Sequence, residues 1–303
     1  MLGVYFAVAG PRVAYTLAGF LGRLLYRLLP PLRTRSEAQL RAVWPRLPGE
    51  QVTRVAEQAF VHRVWNLTDL LLAERLLHPG TYELYGGRIP EPHRGDMRAA
   101  QQRRKPTILL SAYYGPFDLL PVFLGYNGIR ASVVYRSHLN VAYDEQRRKV
   151  RARSGCDMVP VERAGALLPQ VLEAGGTIAI VADHHADRRG LPVTFLGLPT
   201  MAMRSVGLLA SRYDADVVVA GIRRVRKAFR FEIIVEDVIR PDAWTGCDDP
   251  IRYITERYLR GLERLIQRDP TQYLWAYARW GEDVARRLTV ESAPAPSSGQ
   301  PSR

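Results

Sequence analysis

Thr107-Ile108-Leu109-Leu110-Ser111-Ala112-Tyr113-Tyr114-Gly115-Pro116-Phe117-Asp118 is the stretch that decides the fold. Its short apolar opening reads as a fully buried strand. Gly115-Pro116 breaks that strand, and Leu119-Leu120-Pro121-Val122-Phe123-Leu124 then opens a helix. A phenol, Tyr113, and a carboxylate, Asp118, thus sit five positions apart where a strand turns into a helix. Open α/β sheets carry their chemistry at that rim.

Working outward, strand-like runs at 107–112, 131–135, 177–182, 216–222 and 229–236 alternate with helical ones at 141–154, 164–174, 203–213 and 251–268. The alternation predicts an α/β domain, a central mixed sheet flanked by helices, over 106–290. Upstream, 36–44 and 50–77 read as helices, and His78-Pro79-Gly80 ends the second. The polar, Pro-containing stretch 87–105 reads as a surface loop. Residues 33–105 thus form a helical N-terminal region with its loop, and the Ser/Pro/Ala-rich 291–303 a disordered tail.

Residues 1–32 read as a membrane device. Arg12, Thr16, Arg23 and Arg27 fall on one helical face; Leu17, Phe20, Leu21, Leu24, Leu25 and Leu28 populate another. A cationic stripe opposite a Leu/Phe stripe suits a helix lying in the lipid interface. The uncharged run 13–22 is too short to span a bilayer, which takes about 20 apolar residues. A tilted span starting at Met1 and a helix that simply packs on the core are the alternatives. No small-residue cleavage site follows, so a signal peptide is not expected.

The 43 Lys+Arg exceed the 30 Asp+Glu, for a net charge of +13. That excess suits an anionic partner such as lipid phosphates or an acidic protein. The basic run Arg147-Arg148-Lys149-Val150-Arg151-Ala152-Arg153 lacks aromatic interleaving and any nucleic-acid motif, so nucleic acid is not expected. Cys156 and Cys247 show no Cys-x-x-Cys spacing and form no disulfide framework. Asp183-His184-His185, at a strand end, offers three metal-capable side chains. A metal-dependent phosphoesterase would need further acidic strand ends upstream; Ser111 and Tyr113 stand there instead, so no metal is expected.

These motifs, in this order, resemble the bacterial lipid A biosynthesis acyltransferases (the lauroyl/myristoyl acyltransferases), within the lysophospholipid acyltransferase superfamily. The family signature is His, four residues, then Asp or Glu; here Tyr113 stands at the His place, Gly115 and Phe117 fit, and Asp118 is the acid. Tyr135-Arg136 with Asn140 is similar to its Tyr-Arg-x-x-Asn, and Val193-Thr194-Phe195-Leu196-Gly197 to its Val-x-Phe-x-Gly. Trp275-Ala276-Tyr277-Ala278-Arg279-Trp280 is similar to Trp-x-His-x-Arg-Trp, again with Tyr for His. The likeness runs over residues 12–287.

The resemblance implies transfer of a fatty acyl chain from acyl carrier protein or coenzyme A to a hydroxyl of a glycolipid or lysophospholipid. It implies no cofactor, and a place on the cytoplasmic face of the inner membrane. In that chemistry a His takes the hydroxyl proton, and a phenol with an ordinary pKa near 10 is a poor substitute. On this reading Tyr113, Asp118, Arg151 and Asp183 are the catalytic candidates, and Gly115, Arg136, His184 and Arg279 the substrate-binding ones. Tyr113 and Asp118 are expected to share a pocket that takes a fatty tail. The competing class is a silent family member that binds lipid or carrier protein without turnover.

Overall fold

The computed structural model describes residues 2–137, 141–186 and 190–281. In chain order these form helices α1 (Leu2–Leu28), α2 (Pro30–Val43), α3 (Gly49–Leu76) and α4 (His93–Gln102), then strand β1 (Thr107–Ser111). A 3-10 turn, Phe117–Leu119, leads into α5 (Leu120–Tyr126), followed by β2 (Ser132–Tyr135), α6 (Val141–Ala152), β3 (Asp157–Pro160), α7 (Val161–Glu173) and β4 (Thr177–Val181). Next come the hairpin strands β5 (Leu191–Phe195) and β6 (Leu198–Ala202), then α8 (Arg204–Arg212), β7 (Asp216–Arg224), β8 (Phe231–Ile239) and α9 (Pro250–Arg268).

The main sheet has the order β3-β2-β4-β1-β7-β8. All its pairings are parallel except β7 with β8. This is the expected α/β architecture, a mixed sheet flanked by helices. A parallel strand needs cover on both faces, and β1 shows why its sequence is apolar throughout. Ile108 and Leu110 enter one core with Leu262 and Leu265 of α9, whereas Leu109 enters the other with Val61 and Trp65 of α3. Each such side chain, fully withdrawn from water, stabilises the fold by about 1.5–3 kcal/mol.

Three stretches differ from the reading above. Residues 93–102, expected in a loop, form α4. It buries only Met97, so it carries no apolar stripe, but Arg, Met, Ala and Gln are strong helix formers. β3 is four residues long and had no period to reveal it. The β5–β6 hairpin turns on Leu196 and Gly197, both at positive φ (50° and 79°), the combination a two-residue turn needs.

Helix α1 breaks at Gly10 (φ 73°), ahead of Pro11. Beyond the break it shows a third face, absent from the two-stripe reading. Ala14, Tyr15, Ala18 and Tyr26 are buried against α3, and a Cβ on Gly22 would run into the Val61 backbone. Val13, Leu17, Phe20, Leu21, Leu24 and Leu28 remain exposed. Among the described residues no helix is long and apolar enough to cross a membrane. The tail 291–303 and Asn140 lie outside the described residues.

Candidate active site

The neighbours β1 and β4 end side by side, with Ser111 opposite Val181. The two segments that leave them, 112–118 and 182–186, supply most of the site. Asp183, fully buried, accepts the Tyr113 backbone N–H on both carboxylate oxygens at 3.2 Å and the Tyr273 hydroxyl at 3.0 Å. It therefore holds the backbone of residue 113 in place.

The turn is strapped from the other side by the chain beyond α9. Gly115 donates its N–H to the Gln272 carbonyl at 2.9 Å, and Leu274 donates to the Tyr113 carbonyl at 3.1 Å. Asn66 Nδ2 of α3 donates to the Gly115 carbonyl at 2.7 Å. Gly115 sits at φ 55°, and a Cβ there would overlap the Ile222 carbonyl oxygen of β7. Only glycine meets both conditions.

Tyr113 is half-buried. Its ring lies edge-on to Phe117 (4.9 Å), His184 (4.9 Å) and Tyr277 (5.4 Å). Its hydroxyl is 2.8 Å from His184 Nε2. Burial, reinforced by the negative charges of Asp183 and Asp118, pushes the phenol's pKa well up, while Arg136 pulls it down. Arg136 also lowers Tyr277, which burial otherwise raises. Arg136 is itself exposed, so an aqueous cation stands beside a protonated phenol.

Asp118 and Arg151 form a buried ion pair between the 3-10 turn and α6, and Arg151 Nε also donates to the Asp118 carbonyl. The structure thus brings Tyr113, Asp183 and His184 into direct contact, sets Asp118 within electrostatic range of Tyr113, and joins Arg151 to Asp118. Arg279 is only 1% exposed. Its guanidinium lies 4.5 Å over the Phe195 ring and donates to Thr200 Oγ1 at 3.1 Å, while its Nε and Nη2 have no hydrogen-bond partner among the described residues. It faces the β5–β6 hairpin rather than solvent.

Beneath the turn lies a polar cluster that the sequence reading missed. Arg224, at the end of β7, is fully buried and pairs with Asp69. It also donates to Asn66 Oδ1 at 2.8 Å and to His62 Nδ1 at 2.9 Å, and Tyr15 of α1 binds the same Asp69. Burial and the adjacent guanidinium push His62 down to about 3. His62, Asn66 and Asp69 recur at i, i+4 and i+7, so a single polar face on α3 was the available signal. Such a face is ordinarily solvated.

Tyr113 and Phe117 line a narrow cleft with Ala59, Arg63, Asn66 and Leu274. Its volume, about 10 Å³, is room for a single water. Phe117 and the strap residues Gln272, Tyr273 and Leu274 form its walls. Among the described residues, no three His, Cys, Asp or Glu side chains converge to hold a metal ion.

A helix-flanked mixed sheet with its polar constellation at the carboxyl ends of two adjacent parallel strands defines an α/β protein with a rim site. Residues 85–282 match the family model for bacterial lipid A biosynthesis acyltransferases, and the chain belongs to that family. No curated protein matches the chain.

Proposed function

We propose that this chain is a membrane-associated O-acyltransferase at the cytoplasmic face of the inner membrane. It takes a fatty acyl chain as a thioester, on acyl carrier protein or coenzyme A, and esterifies a hydroxyl of a glycolipid of the lipid A type or of a lysophospholipid. The observation that carries this reading is the rim constellation of Tyr113, Asp118, Arg151 and Asp183 inside the family-matched segment.

Further support comes from α1 and α3. Val13, Leu17, Phe20, Leu21, Leu24 and Leu28 are exposed on α1, and Leu67 and Leu71 are exposed on α3, the helix that α1 packs against. That same α3 carries Ala59, Arg63 and Asn66 into the cleft at Tyr113, so a lipid-facing surface and the site share one helix. Arg12 and Arg27, exposed on α1, would meet lipid phosphates.

A second reading has its own observation. A phenol whose pKa is raised is a poor base, and the cleft beside it is small, which favours a member that binds lipid or carrier without turnover. Release of free thiol from an acyl-carrier-protein thioester, measured in lipid vesicles containing acceptor, separates the two. Release that depends on acceptor supports the enzyme; binding of thioester with no thiol release supports the silent member.

A further inference from the structure

The base missing at residue 113 lies one side chain further away. His184 Nδ1 is 2.9 Å from the Val181 carbonyl oxygen, which can only accept. The proton of the neutral ring therefore sits on Nδ1, leaving Nε2 with its lone pair toward the Tyr113 hydroxyl at 2.8 Å. Tyr113 must donate to it. With its own hydrogen directed at His184, the phenolic oxygen offers its remaining lone pairs to an incoming hydroxyl. Val181 thus orients His184 as a carboxylate orients the imidazole of a hydrolytic triad. Tyr113, held by Asp183 through its backbone, spans the gap.

We infer that His184 is the proton acceptor of the acyl transfer, working through Tyr113 as a relay; this rests on the acyltransferase reading above. The acceptor hydroxyl oxygen attacks the thioester carbonyl carbon. As that O–C bond forms, the hydroxyl proton passes to the Tyr113 oxygen and the Tyr113 proton passes to His184 Nε2. Collapse of the tetrahedral intermediate breaks the C–S bond, and the Nε2 proton returns through Tyr113 to the departing sulfur. The products are an ester and a free thiol, with both side chains restored. The elevated phenol pKa suits this role, because the relay requires a tyrosine that stays protonated until the moment of transfer.

His184 acts through another residue, so the test needs readouts that a merely structural part would not move. Steady-state acyl transfer by the intact protein in vesicles should show kcat falling at least about 100-fold in His184→Gln, with KM little changed. The shape of the wild-type pH–rate profile should change in that variant. Adding Tyr113→His to His184→Gln should restore at least about tenfold, since an imidazole then meets the hydroxyl directly. A His184→Gln protein with wild-type kcat and pH profile would overturn the relay alone. A wild type that transfers nothing to any acceptor would overturn the function with it. Independently of turnover or of any variant's folding, nitrogen NMR of wild-type imidazoles should find His184 protonated at Nδ1 and not at Nε2; the opposite tautomer overturns the inference.

Discussion

Asn66 of α3 donates from Nδ2 to the carbonyl oxygen of Gly115 at 2.7 Å, across 49 residues of chain. Through Oδ1 the same amide accepts from Arg224, so it couples the site's turn to the buried cluster below. Asn66→Leu strands a buried carbonyl and part of a guanidinium, at a cost of about 1–3 kcal/mol for the carbonyl alone. Chemical denaturation should register that loss, and acyl transfer should fall with it. Gly115→Ala should cost more, because it adds a steric overlap with β7 to an unfavourable φ.

Asp118 and Arg151 are each almost wholly withdrawn from water. Asp118→Leu or Arg151→Leu alone breaks a buried ion pair from one side, at a cost of about 3–5 kcal/mol of stability. Asp118→Leu combined with Arg151→Leu should be less destabilising than either change alone, as unfolding midpoints would show. Acyl transfer should stay lost in the two variants that lack Asp118, since the negative charge near Tyr113 is gone.

His62 gives the fold a specific acid sensitivity. The unfolded chain takes up a proton below about pH 6.5, whereas the folded chain resists it down to about 3. Stability should therefore fall as pH drops through this window, by about 2 kcal/mol from this residue at pH 5. His62→Gln keeps an acceptor for Arg224 and removes the titration. Denaturation of the two proteins at pH 7 and pH 5 should show the larger loss in wild type.

The sheet was legible in advance because its strands are short, apolar and punctuated, as in 107–112 and 177–182. The rim residues were legible because a phenol and a carboxylate stand at a strand end. What could not be read was which partner each would find. The Asp118–Arg151 pair closes across 33 positions, and that distance is set by how α6 packs on α5. The family resemblance implied a substrate contact for His184; its tautomer depends on a carbonyl at Val181 that no side-chain pattern encodes. The Arg224 cluster was hidden for a similar reason, since α3 reveals its polar face without revealing what covers it.

The exposed stripe on α1 should act at a lipid surface. Leu17→Asp with Phe20→Asp, both exposed positions, should leave the unfolding midpoint nearly unchanged. Binding to vesicles rich in anionic lipid should weaken by at least tenfold, because each large apolar side chain moved from water contributes about 1.5–3 kcal/mol. Added salt should weaken wild-type binding as well, through the exposed Arg12 and Arg27. Equal binding by wild type and variant in a sedimentation assay would remove the interfacial role of α1.

The acyltransferase reading stands or falls on the lipid product. Purified protein should be incubated with a defined fatty acyl thioester and candidate glycolipid or lysophospholipid acceptors in vesicles, and the extracted lipids weighed by mass spectrometry. An acceptor heavier by one acyl group, formed by wild type and not by Asp118→Asn, is the predicted result. Acceptors of unchanged mass beside intact thioester, with the protein folded and bound to the vesicles, would contradict it.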